Sequence, residues 1–380
     1  MTETIITWQP VLTDHQAFTF SALAEISGSK IDANVLYNNH PDRAQQGWTS
    51  TSFEDVGISV HAGPLRIIQL IKRMIRHRGD VHIFCSPWEK PSLMLCLFVC
   101  AALKCRYYLI TEPYSPSDTP YFGTRTTFLS GLKRKIRPLL YRGYGLAIRS
   151  SVSSIFAISD LAYAQYVEIG IDPGRIIPFG YYIPSKQELV MPRSRDVAVP
   201  LRVVFIGSIS FRKGIDTLIR TFRFLHERGI RASLDVYGPG ELRHLEPVPP
   251  NVEFRGRIPF GQSQNVLRNY DVLVLLSRHD GWAVVVNEAI LVGLPVICTE
   301  TVGAARLVRD YEAGIVVPAE DAEASALAIT KLASDLKELQ RLHVGAFKAA
   351  KAIQPEQAAE TLWRAIKTPG CQKSEAKTCR

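Results

Sequence analysis

Strands and helices alternate by pattern through the second half of the chain. Apolar runs at residues 201–206, 232–237, 252–255, 272–276, 295–299 and 314–317 predict strands. Residues 214–228, 263–269 and 283–291 carry helical spacing between them. The run at 272–276, Val-Leu-Val-Leu-Leu, has no polar position, as expected of a strand buried on both faces. Strands alternating with helices imply a parallel, doubly wound sheet, and ligands bind such sheets at the carboxyl ends of the strands. Gly207, Gly238 and Asp280 each follow a predicted strand and so share that edge.

The first half repeats the theme less cleanly. Strands are predicted at 5–8, 34–37, 81–85, 106–110 and 154–158, and helices at 17–26, 64–77, 92–103 and 161–169. The stretch that follows is polar, with Pro184, Pro192 and Pro200, and predicts a linker at 186–200. The implied division is an N-terminal domain over 1–185 and a C-terminal one over 201–350. An amphipathic helix at 355–368 is expected to pack back on the N-terminal domain. The Lys-rich tail at 369–380 is predicted to be disordered.

A chain of 380 residues is too long for one ordinary core and suits two domains. Its longest apolar run, near 92–103, is too short to span a bilayer. The opening Met-Thr-Glu-Thr lacks the basic start of a signal peptide, so a cytoplasmic location is expected, peripheral to the inner membrane face at most. Seven cysteines without a Cys-x-x-Cys pair read as reduced, buried thiols. The nine histidines form no His-x-x-x-His pair and no Asp-x-Asp occurs, so neither a metal nor another cofactor is expected.

The net charge of +9 points to an anionic partner. Two basic stretches carry much of it. Residues 65–78 interleave Arg66, Lys72, Arg73, Arg76 and Arg78 with apolar positions. Residues 132–149 do the same with Lys133, Arg134, Lys135, Arg137, Arg142 and Arg149. Either these are solvated helix faces, or they form a cationic surface against an anionic lipid leaflet. Nucleic acid is not expected, because no reading module accompanies the charge.

Residues 277–300 are the richest in candidate chemistry. Asp280 and Glu288 lie on either side of seven residues, the first beside Gly281 at a predicted strand-to-helix turn. A helix N-terminus offers unpaired backbone N–H groups, and carboxylates accept hydrogen bonds from sugar hydroxyls. A polar ligand such as a nucleotide sugar suits both. The plainer readings are a capping Asp280 and a solvent-facing Glu288.

Five motifs fall in order: Phe205-Ile-Gly-Ser208, Arg212-Lys213-Gly214, Gly238-Pro239-Gly240, Val252-Glu-Phe-Arg-Gly256 and the block from Asp280 to Val296. Together they resemble the retaining glycosyltransferases of family 4. That resemblance implies the GT-B fold, two Rossmann-like doubly wound domains facing a cleft. It also implies roles. Glu288 would hold the ribose hydroxyls, and Asp280 the transferred sugar, one methylene shorter than the family's usual Glu. The backbone amides of Gly281, Trp282 and Ala283 would meet the sugar. Lys213, with Arg212 as a weaker second, would neutralise the diphosphate. Gly207, Ser208, Gly238 and Arg255 would line the donor site.

Departures accompany the likeness. Ser208 stands where the family often has Arg, and Ala283 where it often has Gly. The loop after the first strand, 9–16, has no glycine. On the acceptor side, Glu112 matches the family's Glu-Pro, but Thr111 replaces its His. Glu112 would contact the acceptor or act as a helper base, and His15 would touch phosphate or acceptor.

The implied activity is metal-independent, retaining transfer from a nucleoside-diphosphate sugar, UDP before GDP. The acceptor would be a hydroxyl on a sugar or a lipid-linked intermediate of surface-polysaccharide or lipopolysaccharide assembly. A nucleotide-sugar 2-epimerase of the same fold, or an inactive nucleotide-binding relative, are the alternatives.

Overall fold

The computed structural model describes residues 4–37, 58–62, 67–113, 128–186, 199–240 and 247–368. They cluster into two compact units, one drawn from Met1–Tyr114, Thr127–Ile183 and Pro355–Arg380, the other from Pro184–Gln354.

The N-terminal unit is built on a seven-stranded sheet in which every described pairing is parallel. Its strands are β1 (Thr4–Gln9), β2 (Lys30–Val35), β3 (Ile58–Ala62), β4 (Val81–Cys85), β5 (Arg106–Thr111), β6 (Ser154–Ile158) and β7 (Ile176–Phe179). Their order is β3-β2-β1-β4-β5-β6-β7. The helices are α1 (Asp14–Ser27), α2 (Ile67–Arg76), α3 (Pro91–Ala102), α4 (Phe128–Ile148) and α5 (Asp160–Glu168). Trp8, Phe84, Leu97, Tyr107 and Ile155 belong to the buried cluster on one face of this sheet.

The C-terminal unit has a six-stranded parallel sheet. Its strands are β8 (Leu201–Ile206), β9 (Ala232–Tyr237), β10 (Val252–Gly256), β11 (Val272–Leu275), β12 (Val296–Thr299) and β13 (Gly314–Val317), ordered β10-β9-β8-β11-β12-β13. Its helices are α6 (Ile215–Glu227), α7 (Ser263–Leu267), α8 (Val284–Leu291), α9 (Ala305–Asp310), α10 (Ala322–Ser334) and α11 (Leu336–Ala352). The chain winds outward from β8 through β9 to β10, then returns to β11 and winds the other way. Loops at the carboxyl ends of β8 and β11 therefore diverge to opposite sides, leaving a crevice between them. In the first sheet the same reversal falls between β1 and β4.

The final helix, α12 (Pro355–Lys367), packs on α1, and its Ala365 carbonyl accepts from the Tyr108 hydroxyl at 3.2 Å. The last helix thus belongs with the first sheet although the whole second unit precedes it.

Pattern and structure differ most in the first unit. The strand expected at 34–37 is Lys30–Val35, because Asp32 and Asn34 interrupt its apolar run. Inside the sheet both find a partner: Arg73 donates to Asp32 at 3.4 Å, and the Asn34 Nδ2 donates to the Thr7 carbonyl at 3.3 Å, while the buried Asn34 Oδ1 accepts no bond. The short strands β3 and β7 were not anticipated, nor were α9, α10 and α11. The linker falls mostly outside the described residues, as does the tail at 369–380. The linker's near end is anchored: the Lys186 amide donates to Gln264 at 3.1 Å. Five described cysteines, Cys85, Cys96, Cys100, Cys105 and Cys298, are free and buried. Among the described residues no helix is long and apolar enough to cross a membrane.

Candidate functional site

The carboxyl ends of β8 and β11 bring the two central charges of the C-terminal unit together. After β8 the chain passes Gly207 and Ser208 into a three-residue 3-10 turn, Phe211–Lys213, which carries Lys213 at its end. Gly214 follows in the left-handed region at φ +68°, and a Cβ there would lie 1.8 Å from the Leu276 carbonyl oxygen. Only glycine lets this turn press against the end of β11. After β11 the residues Ser277 to Ala283 lead into α8, and Asp280 lies in that loop.

The Lys213 ammonium donates directly to the Asp280 carboxylate, and both side chains are nearly enclosed, 13% and 11% exposed. Burial acts to raise the Asp280 carboxyl, but the Lys213 ammonium, helped by Arg212 and His279, outweighs it and holds it below the usual aspartate value. Asp280 is therefore a carboxylate at neutral pH. Backbone bonds fix its loop: the Asp280 amide donates to the Thr301 carbonyl at 3.1 Å, and the Gly303 amide to the Asp280 carbonyl at 3.0 Å.

Glu288, one turn into α8, has a different environment. Its carboxylate accepts from the Ser263 hydroxyl at the start of α7, at 2.5 Å. Burial raises its pKa above the usual glutamate value, with the Ser263 hydrogen bond and the Lys186 charge opposing. The two carboxylates thus sit in different electrostatic settings, one bound to a cation and held low, the other hydrogen-bonded to a neutral hydroxyl and pushed up.

The remaining donor-side expectations sort by position. Trp282 turns inward, 4% exposed, and its indole N–H donates to Asn287 at 2.7 Å, so the ring belongs to the core. Ala283 occupies φ +73°, a conformation that resists a side chain and explains why glycine suits this position. Gly207 and Gly238 meet at the ends of β8 and β9, where a Cβ on Gly238 would fall 1.7 Å from the Gly207 carbonyl oxygen. The Ser208 hydroxyl lies 3.3 Å from that of Ser210. Arg212 donates to the His279 carbonyl at 3.1 Å, tying the two loops together. Arg255 is exposed and ion-paired with Asp235 of the neighbouring β9 at 3.2 Å and with Glu253 of its own strand at 2.6 Å.

The N-terminal candidates form a second group at the carboxyl edge of their own sheet. His15, buried in the first turn of α1, shares a 2.8 Å hydrogen bond with the Thr13 hydroxyl. Its ring lies 3.9 Å, centroid to centroid, from that of Tyr181. Burial, then the Glu112 carboxylate and the hydrogen bond to it, pushes the Tyr181 hydroxyl well above its ordinary value. His15 and Glu112 thus converge on one buried tyrosine. Thr111, beside Glu112, accepts from the Tyr166 hydroxyl at 3.3 Å and donates to the Glu112 carbonyl at 3.2 Å.

Sequence reading missed Tyr181, Ser263 and Lys186, which lie far in the chain from what they touch. It also passed over Arg278, two residues before Asp280. A charge two residues after the unbroken apolar run 272–276 was the available signal.

One group of metal-ligand types occurs among the described residues. His82, Cys100 and Cys105 bring ligand atoms within 4.8 Å of one another in the buried core of the N-terminal unit. Its chemistry does not fit a metal well. One His82 ring nitrogen, Nδ1, accepts from the Trp8 indole at 3.0 Å, and the other, Nε2, lies 3.0 Å from the His77 carbonyl. Both ring nitrogens are therefore engaged, and burial pushes both thiols up, away from the thiolate that a metal needs.

Residues 200–335 match the family described as glycosyl transferases group 1. The putative teichuronic acid biosynthesis glycosyltransferase TuaC of Bacillus subtilis is 32% identical over 244 residues, covering 59% of this chain and 61% of that protein. The lipopolysaccharide core biosynthesis glycosyltransferase LpsE of Rhizobium meliloti is 33% identical over 138 residues, 35% of this chain and 39% of its own. An uncharacterized glycosyltransferase of Methanocaldococcus jannaschii is 27% identical, with 36% of its length matched, so the chain spans little more than a third of several such relatives. A crystal structure of Anabaena HepE with UDP and glucose superposes with a TM-score of 0.69 at 12% identity, covering 96% of this chain and all of that one. The galactosyltransferase WaaB, in its apo form, gives 0.65 at 14% identity, covering 96% and 99%. The fold is GT-B, and its C-terminal unit carries a glycosyl transferases group 1 domain.

Proposed function

We propose that this chain, with its GT-B fold and its glycosyl transferases group 1 domain, is a retaining glycosyltransferase that uses a nucleoside-diphosphate sugar. The observation that carries the reading is the Lys213–Asp280 pair at the carboxyl ends of β8 and β11, where that domain's sheet reverses. A cation beside an ionised carboxylate suits a ligand that joins a diphosphate to a polyhydroxyl ring.

In this reading the diphosphate takes the Lys213 ammonium, and Asp280, released from its partner, accepts from hydroxyls of the transferred sugar. Glu288 accepts from the ribose. The C1–phosphate bond breaks as the acceptor oxygen bonds C1 from the same face. The acceptor proton passes to the departing phosphate oxygen, which Lys213 holds negative. Glu112 orients the acceptor hydroxyl, with Tyr181 and His15 behind it. No metal is required in this scheme, since Lys213 supplies the counter-charge. UDP is the preferred nucleotide, in keeping with the UDP bound to HepE.

The acceptor is proposed to be a sugar or lipid-linked intermediate of surface-polysaccharide assembly, the field of TuaC and LpsE. Exposed Leu139, Leu140 and Leu146 lie on α4 with exposed Arg142, and exposed Ile68 and Ile75 lie on α2 with Lys72 and Arg76, which supports a peripheral contact with anionic lipid. Co-sedimentation with phosphatidylglycerol vesicles, but not with pure phosphatidylcholine, is expected. Equal recovery in both supernatants removes the membrane part of the proposal.

The activity itself is tested by incubating the protein with a panel of UDP and GDP sugars and membrane lipid extracts, then reading products and anomeric configuration. A glycoside with the donor's configuration is the expected result. An inverted product ends the retaining assignment. An epimer formed from the donor alone ends the transferase assignment.

A further inference from the structure

The turn carrying Lys213 is three residues long and cannot hold itself, since a single 3-10 turn has few and poorly shaped internal hydrogen bonds. What holds it comes from the neighbouring loop, and most of it from one side chain. Arg278 is enclosed, its side chain 7% exposed. Its Nη1 donates to the Phe211 carbonyl at 2.6 Å and to Asp216 at 2.7 Å. Its Nη2 donates to the other oxygen of Asp216 at 2.7 Å, and its Nε donates to Glu320. The face of the guanidinium lies 3.6 Å from the centroid of the Phe211 ring. The Arg278 amide also donates to the Arg212 carbonyl at 2.9 Å. Carbonyl, ring and following helix are thus pinned at once: Phe211 opens the turn, and Asp216 lies in the first turn of α6 just beyond Lys213.

The structure assigns Arg278 as the positioning residue that fixes the Phe211–Lys213 turn so that the Lys213 ammonium is held where a diphosphate is bound. This rests on the reading of Lys213 as the phosphate cation. Arg278 is not itself a phosphate ligand, since four of its five N–H groups are already given to the protein: two from Nη1, one from Nη2 and one from Nε. Arginine suits the task because its planar fork fits Asp216 with two parallel bonds while its face stays free to stack. A lysine could offer the charge but neither the fork nor the face.

The test compares binding of UDP with binding of uridine, which lacks the diphosphate, by calorimetry on the full chain. Arg278→Gln is expected to weaken UDP about tenfold and leave uridine within a factor of about two, because the loss runs through the placement of one cation. Asp216→Asn, which leaves the stack and the Phe211 contact in place, is expected to show a smaller loss of the same kind. It keeps the test open should Arg278→Gln melt too low. Arg278→Lys is expected to fall between Arg278→Gln and the parent.

The decisive variant is Arg278→Gln combined with Lys213→Ala, expected to bind UDP no more weakly than Lys213→Ala alone. Additive losses overturn the positioning role, as does equal weakening of uridine and UDP. Should Lys213→Ala itself leave UDP affinity unchanged, the phosphate reading of Lys213 falls and takes this role with it. A Lys213→Ala loss with an unaffected Arg278→Gln removes the Arg278 role alone.

Discussion

The two units hold their candidate residues by different physics. In the C-terminal unit a buried ion pair, Lys213 with Asp280, lies between two loops cross-linked by Arg212 and Arg278. In the N-terminal unit His15 and Glu112 meet around Tyr181, a buried aromatic hydroxyl, with Thr13 and Thr111 as polar neighbours. A diphosphate sugar demands a fixed counter-charge, and a fixed charge must be buried and braced. An acceptor hydroxyl demands only a directional acceptor and a shaped surface, which an aromatic ring and one carboxylate can provide. The family likeness falls in residues 200–335, within the C-terminal unit.

Removing the cation is the strongest way to break the contrast. Lys213→Ala leaves Asp280 enclosed without its partner and is expected to destabilise the C-terminal unit by about 3 kcal/mol in denaturant unfolding. Adding Asp280→Ala should recover most of that. A double variant as unstable as the sum of the singles would show that the pair is not coupled. On the other side, Glu112→Gln is expected to lower transfer on the order of 100-fold with UDP affinity unchanged. A parallel fall in UDP affinity would erase the division between donor and acceptor units.

Titration separates the two carboxylates of the C-terminal unit. Because burial raises Glu288, it takes up a proton at a higher pH than a free glutamate does. UDP affinity should weaken as pH falls through that raised value, and Glu288→Gln should flatten this acid limb. Its effect on folding has the opposite sense: stability declines as pH rises from the ordinary glutamate value through the raised one. Asp280 is held low, so its contribution to stability is full above the ordinary aspartate value and disappears only as pH falls through its lower folded value. An acid limb that survives Glu288→Gln unchanged assigns it elsewhere. The smallest effect belongs to Ala283→Gly, which relieves a left-handed alanine and should raise stability by less than about 1 kcal/mol without loss of transfer. A lower melting temperature there would mean that the side chain packs usefully despite its backbone.

Much of the C-terminal sheet was legible because its central strands, β11 and β12, are buried on both faces. Val272–Leu275 is wholly enclosed and reads as an unbroken apolar run, and turn residues bound it on each side. The N-terminal sheet hid Lys30–Val35 because Asp32 and Asn34 break the pattern. Their partners, Arg73 and Thr7, lie 41 and 27 residues away. Asp280 and Glu288 stood out by their spacing from each other, but nothing along the chain distinguished their settings.

By itself the sequence determined that two parallel α/β layers would form and which loops would carry Asp280, Glu288 and Lys213, since hydrophobic period and turn residues act locally. Only the tertiary structure decided that Lys213 would pair with Asp280, that Arg278 would brace the turn, and that Tyr181 would draw His15 and Glu112 together. Those choices come from the order of strands in the sheet. It sets β8 beside β11 across 65 residues of intervening chain, counted from Ile206 to Val272, and no local pattern records that adjacency.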